Sequence, residues 1–95
     1  MSYVKFIWSD YIRYRVQLRG FDLAKIEEIL RFCEERYFDT ATHRMVVVGK
    51  HDKFLVMIPY DKIEDEGGEL ITPVTVHATS RQQIKFRLNS GRFVR

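Results

Sequence analysis

His77 stands four residues before Arg81 in the stretch Val76-His77-Ala78-Thr79-Ser80-Arg81, and the chain's clearest chemistry starts there. Histidine is the side chain whose ordinary pKa lets it gain or lose a proton near neutral pH. At a corner between strand and helix it can serve as a general base or acid. A histidine packed at a sheet edge, with one ring nitrogen bonded to backbone, accounts for the residue equally well. Further on, Arg81, Lys85 and Asn89 are spaced i, i+4, i+8 and would share one helical face. Such a row can hold phosphates, arginine through paired hydrogen bonds and lysine as a point charge. A solvated basic face, favoured by the helix dipole near a C-terminus, is the commoner origin of the same pattern. Arg15 and Arg19 form a second i,i+4 pair of cations, and Arg87 and Arg92 extend the basic set.

Other chemistries lack their residues. The three histidines and Cys33 show no ligand spacing of the C-x-x-C or H-E-x-x-H kind, so no metal site and no cofactor is expected. P-loop, G-x-G-x-x-G and G-x-S-x-G patterns are absent. His43 and His51 fall in expected turns and read as ordinary surface residues. Glu34 and Glu35 read as the solvated side of a helix. Trp8 and Tyr14, beside Arg13, Arg15 and Arg19, could stack on unpaired bases, but aromatics at helical spacing are more often core, and core is the expectation here.

The charge of +3 is unevenly spread. Residues 1–20 hold four bases against one acid, residues 21–78 seven against twelve, and residues 79–95 five against none. If the two basic ends meet in space, they make a patch that attracts polyanions. A chain of 95 residues and 11.4 kDa, 45% apolar and with 13 aromatics, suits a single domain spanning residues 1–95. No run approaches the ~20 apolar residues that span a bilayer, and Met1 to Asp10 does not have the pattern of a secretory signal. One cysteine cannot form an internal disulfide and suits a reducing cytoplasm.

The elements that must position these residues follow from periodicity. Tyr3–Trp8 is aromatic and β-branched and reads as a strand. Ser9 or Asp10 caps a helix with Tyr11, Tyr14 and Leu18 along one face, stopped at Gly20. Asp22 caps a second helix whose apolar stripe is Leu23, Ile26, Ile29, Leu30 and Cys33, with Glu27 and Arg31 paired at i,i+4. Strands follow at Arg36–Thr40, Arg44–Gly49, Phe54–Tyr60 and Leu70–Ala78, with Asp61–Glu69 as an acidic, solvated loop and Pro73 marking an edge or a bulge. Ser80 with Gln83 opens a last helix that ends at Gly91. The expected order is β-α-α-β-β-β-β-α, an α+β fold with a small antiparallel sheet of four to five strands and flanking helices.

The pattern Phe6-x-Trp8-x-Asp10, a basic helix ending Leu18-Arg19-Gly20, a second helix Leu23–Leu30, the strands Arg44–Gly49 and Phe54–Ile58, and the closing corner into a basic helix together resemble BrnT-like toxins of the RelE/ParE superfamily. The resemblance spans nearly the whole chain as an order of elements, although the individual motifs are short. It departs from the family pattern at Arg19, where the family has histidine, and at Val76-His77-Ala78-Thr79, where it usually has I-S-A-R. It implies a RelE-like sheet flanked by helices, endoribonuclease activity in a toxin–antitoxin system, and a small antitoxin protein of ribbon-helix-helix type as partner. Within that frame His77 is assigned as general base or acid and Arg19 and Arg81 as phosphate-stabilising catalytic residues. Arg15, Lys85, Arg87 and Arg92 bind RNA. Cleavage proceeds by attack of the 2′-hydroxyl and without a metal. No membrane is involved, and a homodimer is left open. The alternative is an interaction module for protein or RNA that kept the fold and lost activity.

Overall fold

A computed structural model describes residues 3–95, which run β1 (Tyr3–Phe6), α1 (Asp10–Leu18), α2 (Leu23–Phe32), β2 (Arg36–Asp39), β3 (Arg44–His51), β4 (Phe54–Asp65), β5 (Gly68–Pro73), β6 (His77–Thr79), α3 (Arg81–Asn89) and β7 (Phe93–Val94). The strands form one sheet in the order β1-β5-β4-β3-β2-β7, with β6 on the same side of β4 as β5. All pairs are antiparallel except β1 with β5, which is parallel. The fold is α+β, but the sheet is mixed and has seven strands where four to five antiparallel ones were expected.

Three features produce the difference. Pro73 has no N–H to continue the ladder, so β5 ends there, residues 74–76 bend, and β6 resumes the pairing further along β4. The acidic segment expected as a solvated loop is a hairpin: β4 continues to Asp65 and β5 begins at Gly68. Its last five β4 residues are exposed on both faces, which removes the apolar alternation that signals a strand. Lys62 nevertheless bridges Glu64 at 3.1 Å and Glu69 at 3.8 Å across this ribbon. Finally, β7 is two residues long, too short to leave any periodicity.

Alternation along the central strands splits the core into two layers. Val47, Val56, Ile58 and Tyr60 face α1 and α2, packing on Ile12, Val16, Ile26, Ile29 and Leu30. Val46, Val48 and Met57 face the other way and pack on Ile84, Leu88 and Phe93. The helices therefore cover both faces of the sheet, α1 and α2 on one side and α3 on the other.

Helix α2 follows its expected stripe, with Asp22 accepting from the Ala24 amide at 2.9 Å and Arg31 meeting Glu27 at 3.2 Å. Helix α1 does not. Its buried residues are Ile12 and Val16, whereas Tyr11 (56% exposed), Tyr14 (59%) and Leu18 (60%) face solvent. The smaller β-branched pair lies against the sheet, where close approach suits it, and Trp8 is only half-buried. The α1–α2 turn is a Schellman motif: Phe21 N–H reaches Val16 O, Gly20 N–H reaches Gln17 O, and Gly20 takes φ +72°. His51, expected at the surface, anchors this turn. It is 4% exposed, accepts the Asp22 N–H at Nε2 (2.8 Å) and lies against Phe21.

Candidate functional site

His77 opens β6, a three-residue strand bonded to β4 along one edge, with no strand on its other edge among the described residues. It sits opposite Met57, so its side chain points to the α3 face of the sheet. The preceding residue, Val76, points the other way, into the core layer that also holds Ile12 and Val16 of α1. Ser80 then accepts the Gln83 amide at 3.1 Å and starts α3 immediately after the strand.

Three arginines act on His77 through their charge. Burial depresses the His77 pKa first, and the charges of Arg19, Arg15 and Arg87 push it further below the ordinary histidine value. At neutral pH the ring is therefore uncharged, with a lone pair free to accept a proton. Arg15 lies in the last turn of α1, Arg19 is the C-cap residue that follows the helix, and Arg87 comes from α3. Arg15 also lies over the Tyr11 ring at 5.9 Å, which ties the cation cluster to the exposed Tyr11–Tyr14–Leu18 stripe. Two buried polar side-chain atoms lack a hydrogen-bond partner among the described residues, Arg15 Nε and Thr75 Oγ1. Arg15 reaches His77 through its charge, and Thr75 lines the same pocket as His77. Buried polar groups are ordinarily paired; of these two exceptions Thr75 lines the His77 pocket and Arg15 does not.

The other expected site residues lie elsewhere or are already engaged. Arg81 points away from His77 and donates through Nη1 to both Glu35 oxygens, at 2.7 and 2.6 Å. Tyr37 O–H donates to the same carboxylate at 2.7 Å. Burial would raise the Glu35 carboxyl, but the hydrogen bonds from Arg81 and Tyr37 outweigh it and hold the pKa below the usual value. Glu35 is thus an ion-pair partner, not part of a solvated helix side. Lys85 lies on the same flank of α3, near Glu34, Glu35 and Arg81. Arg92 grips Asp39 with two contacts of 3.2 Å. Asp39 is 4% exposed; burial pushes its carboxyl up, while Arg92 and the Ala41 amide more than offset this.

Of the seven cationic or titratable residues singled out, Arg15, Arg19 and Arg87 act on His77 through their charge, Arg81 and Lys85 lie on the other flank of α3, and Arg92 reaches the pocket only as part of an ion pair. Helical geometry carried a signal for this division. With Ile84 and Leu88 turned inward, residues 81 and 85 fall on one flank of α3 and residue 87 on the other. Asp39 and Thr75 had no comparable signal, because their roles depend on contacts made across the sheet. Among the described residues no helix is long and apolar enough to cross a membrane, and no three His, Cys, Asp or Glu side chains are grouped to hold a metal. The chain has no match among protein-family models or curated proteins.

Proposed function

We propose that the protein is a metal-independent endoribonuclease of the RelE/ParE toxin type, resembling BrnT-like toxins, with His77 as general base. The observation that carries this reading is a half-buried histidine on an open sheet edge, its pKa lowered by burial and by the charges of Arg19, Arg15 and Arg87. RNA carries its own nucleophile. His77 takes the proton of a 2′-hydroxyl, the oxygen bonds to the adjacent phosphorus, and the P–O5′ bond breaks as the leaving oxygen takes a proton from water. The cations stabilise the extra negative charge on phosphorus. Arg87 takes the role first assigned to Arg81, which would have to leave Glu35 to serve. A small antitoxin covering the basic surface, a homodimer and a cytoplasmic location belong to the same proposal.

The test is incubation of the protein with RNA in EDTA across pH 5–9. Cleavage by wild type should fall at least ~100-fold in His77→Ala, the lower range for a general base, and fall clearly in Arg19→Gln. Cleavage that survives His77→Ala refutes the assignment. The second reading, a non-catalytic interaction module, has its own support: Arg81 and Arg92 are engaged in ion pairs, and Tyr11, Tyr14 and Leu18 form an exposed stripe. RNA binding without cleavage at any pH would favour it.

A further inference from the structure

Helix α3 presents an aromatic ring that the core does not use. Ile84 is buried and Leu88 packs on the same layer, so Phe86 stands on the outward face of the helix. It is 72% exposed. It lines an open hollow of ≈ 350 Å³ together with Gln82, Gln83, Arg87, Ser90 and Arg92. Two arginines join this hollow to His77. Arg92 lines both the hollow and the His77 pocket. Arg87 lines the hollow, acts on His77 through its charge, and lies over the Phe93 ring at 5.6 Å. Phe93 is itself a wall of the His77 pocket. Residues 79–95 contain five bases and no acid, and Asp39, the carboxylate that Arg92 holds, is buried.

We infer that Phe86 is a stacking platform for an unpaired base of an RNA strand whose neighbouring phosphate lies at Arg87. The inference rests on the RNA reading of the His77 site and adds a base-binding subsite beside it. A ligand for this hollow has to be anionic, because the segment offers only cations. It also has to bring a flat apolar face, because an exposed phenyl ring gains from a partner that covers it. An unpaired nucleotide has both properties. In a duplex the base faces already stack on one another, so only a single strand fits. A protein helix fits poorly. Such a partner is gripped by apolar anchors at i, i+3, i+4 and i+7, yet the residues three and four positions from Phe86 are Gln82, Gln83, Asn89 and Ser90, all polar. A second copy docked here about a two-fold axis would set the cations of one α3 against those of the other. Stacking accepts any base, so the platform adds affinity and register without a sequence preference.

The experiment measures fluorescence anisotropy of two labelled single strands, a short 2′-O-methyl RNA that lacks the nucleophile for cleavage and an abasic strand of the same length. Phe86→Ala should weaken binding of the RNA about tenfold, within the range for one base–aromatic contact, and leave the abasic strand unchanged. Phe86→Trp should keep the affinity, whereas Phe86→Leu, which is apolar but not planar, should not. Arg87→Gln should weaken both strands. Circular dichroism checks that each variant folds, as expected for an exposed position. Equal RNA affinity in wild type and Phe86→Ala, or full affinity in Phe86→Leu, overturns the platform. So does a loss of self-association in Phe86→Ala with unchanged RNA affinity, which would give the ring to a second copy. If Phe86→Ala binds as wild type does while His77→Ala loses cleavage of ordinary RNA, the platform fails and the His77 reading stands. If Phe86→Ala weakens binding while His77→Ala still cleaves, the platform stands and the cleavage assignment fails. Binding of neither strand by wild type refutes both.

Discussion

Gly49 is the position where one added methyl group should be felt most. It lies on β3 directly beneath α2, and a Cβ there would stand 2.8 Å from Cys33 Sγ, 2.8 Å from Ile29 Cγ2 and 3.1 Å from Ile29 Cγ1. Ile29 is 4% exposed and packed among the core residues, so it cannot swing away. Overpacking of this kind costs about 1–3 kcal/mol. Replacing glycine also removes freedom from the unfolded chain, which returns about 0.4–1 kcal/mol. The steric effect wins, and Gly49→Ala should destabilise by about 1–2 kcal/mol, lowering Tm by roughly 4–8 °C for each kcal/mol in a domain of this length. Urea and thermal unfolding followed by circular dichroism measure it. Cys33→Ala removes the sulfur from one of the two closest contacts, so the cost of Gly49→Ala should drop by about 0.5 kcal/mol or more in that background, a coupling typical of neighbours. A Gly49→Ala loss below about 0.5 kcal/mol, or an identical loss in both backgrounds, would refute the seating of α2 on this strand.

The His77 site makes a pH prediction with a definite sign. Its folded pKa lies below the ordinary ~6.5, so below that value the unfolded chain binds a proton that the folded chain resists. Stability present above about pH 6.5 should therefore decline as pH falls through the folded value, and His77→Asn should flatten that decline between pH 7 and 5. A pH profile unchanged by His77→Asn speaks against the depressed pKa. Arg19→Gln removes the strongest charge acting on the ring and should move the His77 NMR titration midpoint upward, whereas Arg81→Gln should leave it in place; the reverse ranking would restore Arg81 to the site. On α1, Ile12→Ala should cost about 2–5 kcal/mol as a core truncation, and Tyr14→Ser should stay within about 0.5 kcal/mol as an exposed change. Equal losses in the two variants would mean that the helix presents its other face to the sheet.

The elements were legible where local chemistry dictates them. Asp22, Ser9 and Ser80 cap their helices through bonds that span two or three residues, and Gly20 ends α1 because its backbone must turn left-handed there. The α2 stripe was legible because one face is apolar and the other charged. Helix α1 misled because two amphipathic patterns overlap in it, tyrosines and Leu18 on one face and Ile12 with Val16 on another, and periodicity does not say which face meets a sheet.

The sequence by itself determined the α+β class, the helix boundaries, the basic ends and the singling out of His77 and of the Arg15–Arg19 pair. These depend on residue type and short spacing. Only the tertiary structure decided which cations share a surface with His77. Arg81 is drawn to Glu35, 46 residues away, and Arg92 to Asp39, 53 residues away, and an ion pair between distant residues leaves no periodic trace. The same holds for His51 beneath the α1–α2 turn and for Thr75 in its pocket. Their environments are built by segments that meet only when the sheet closes, so burial and hydrogen-bond satisfaction, not residue type, set what each of them can do.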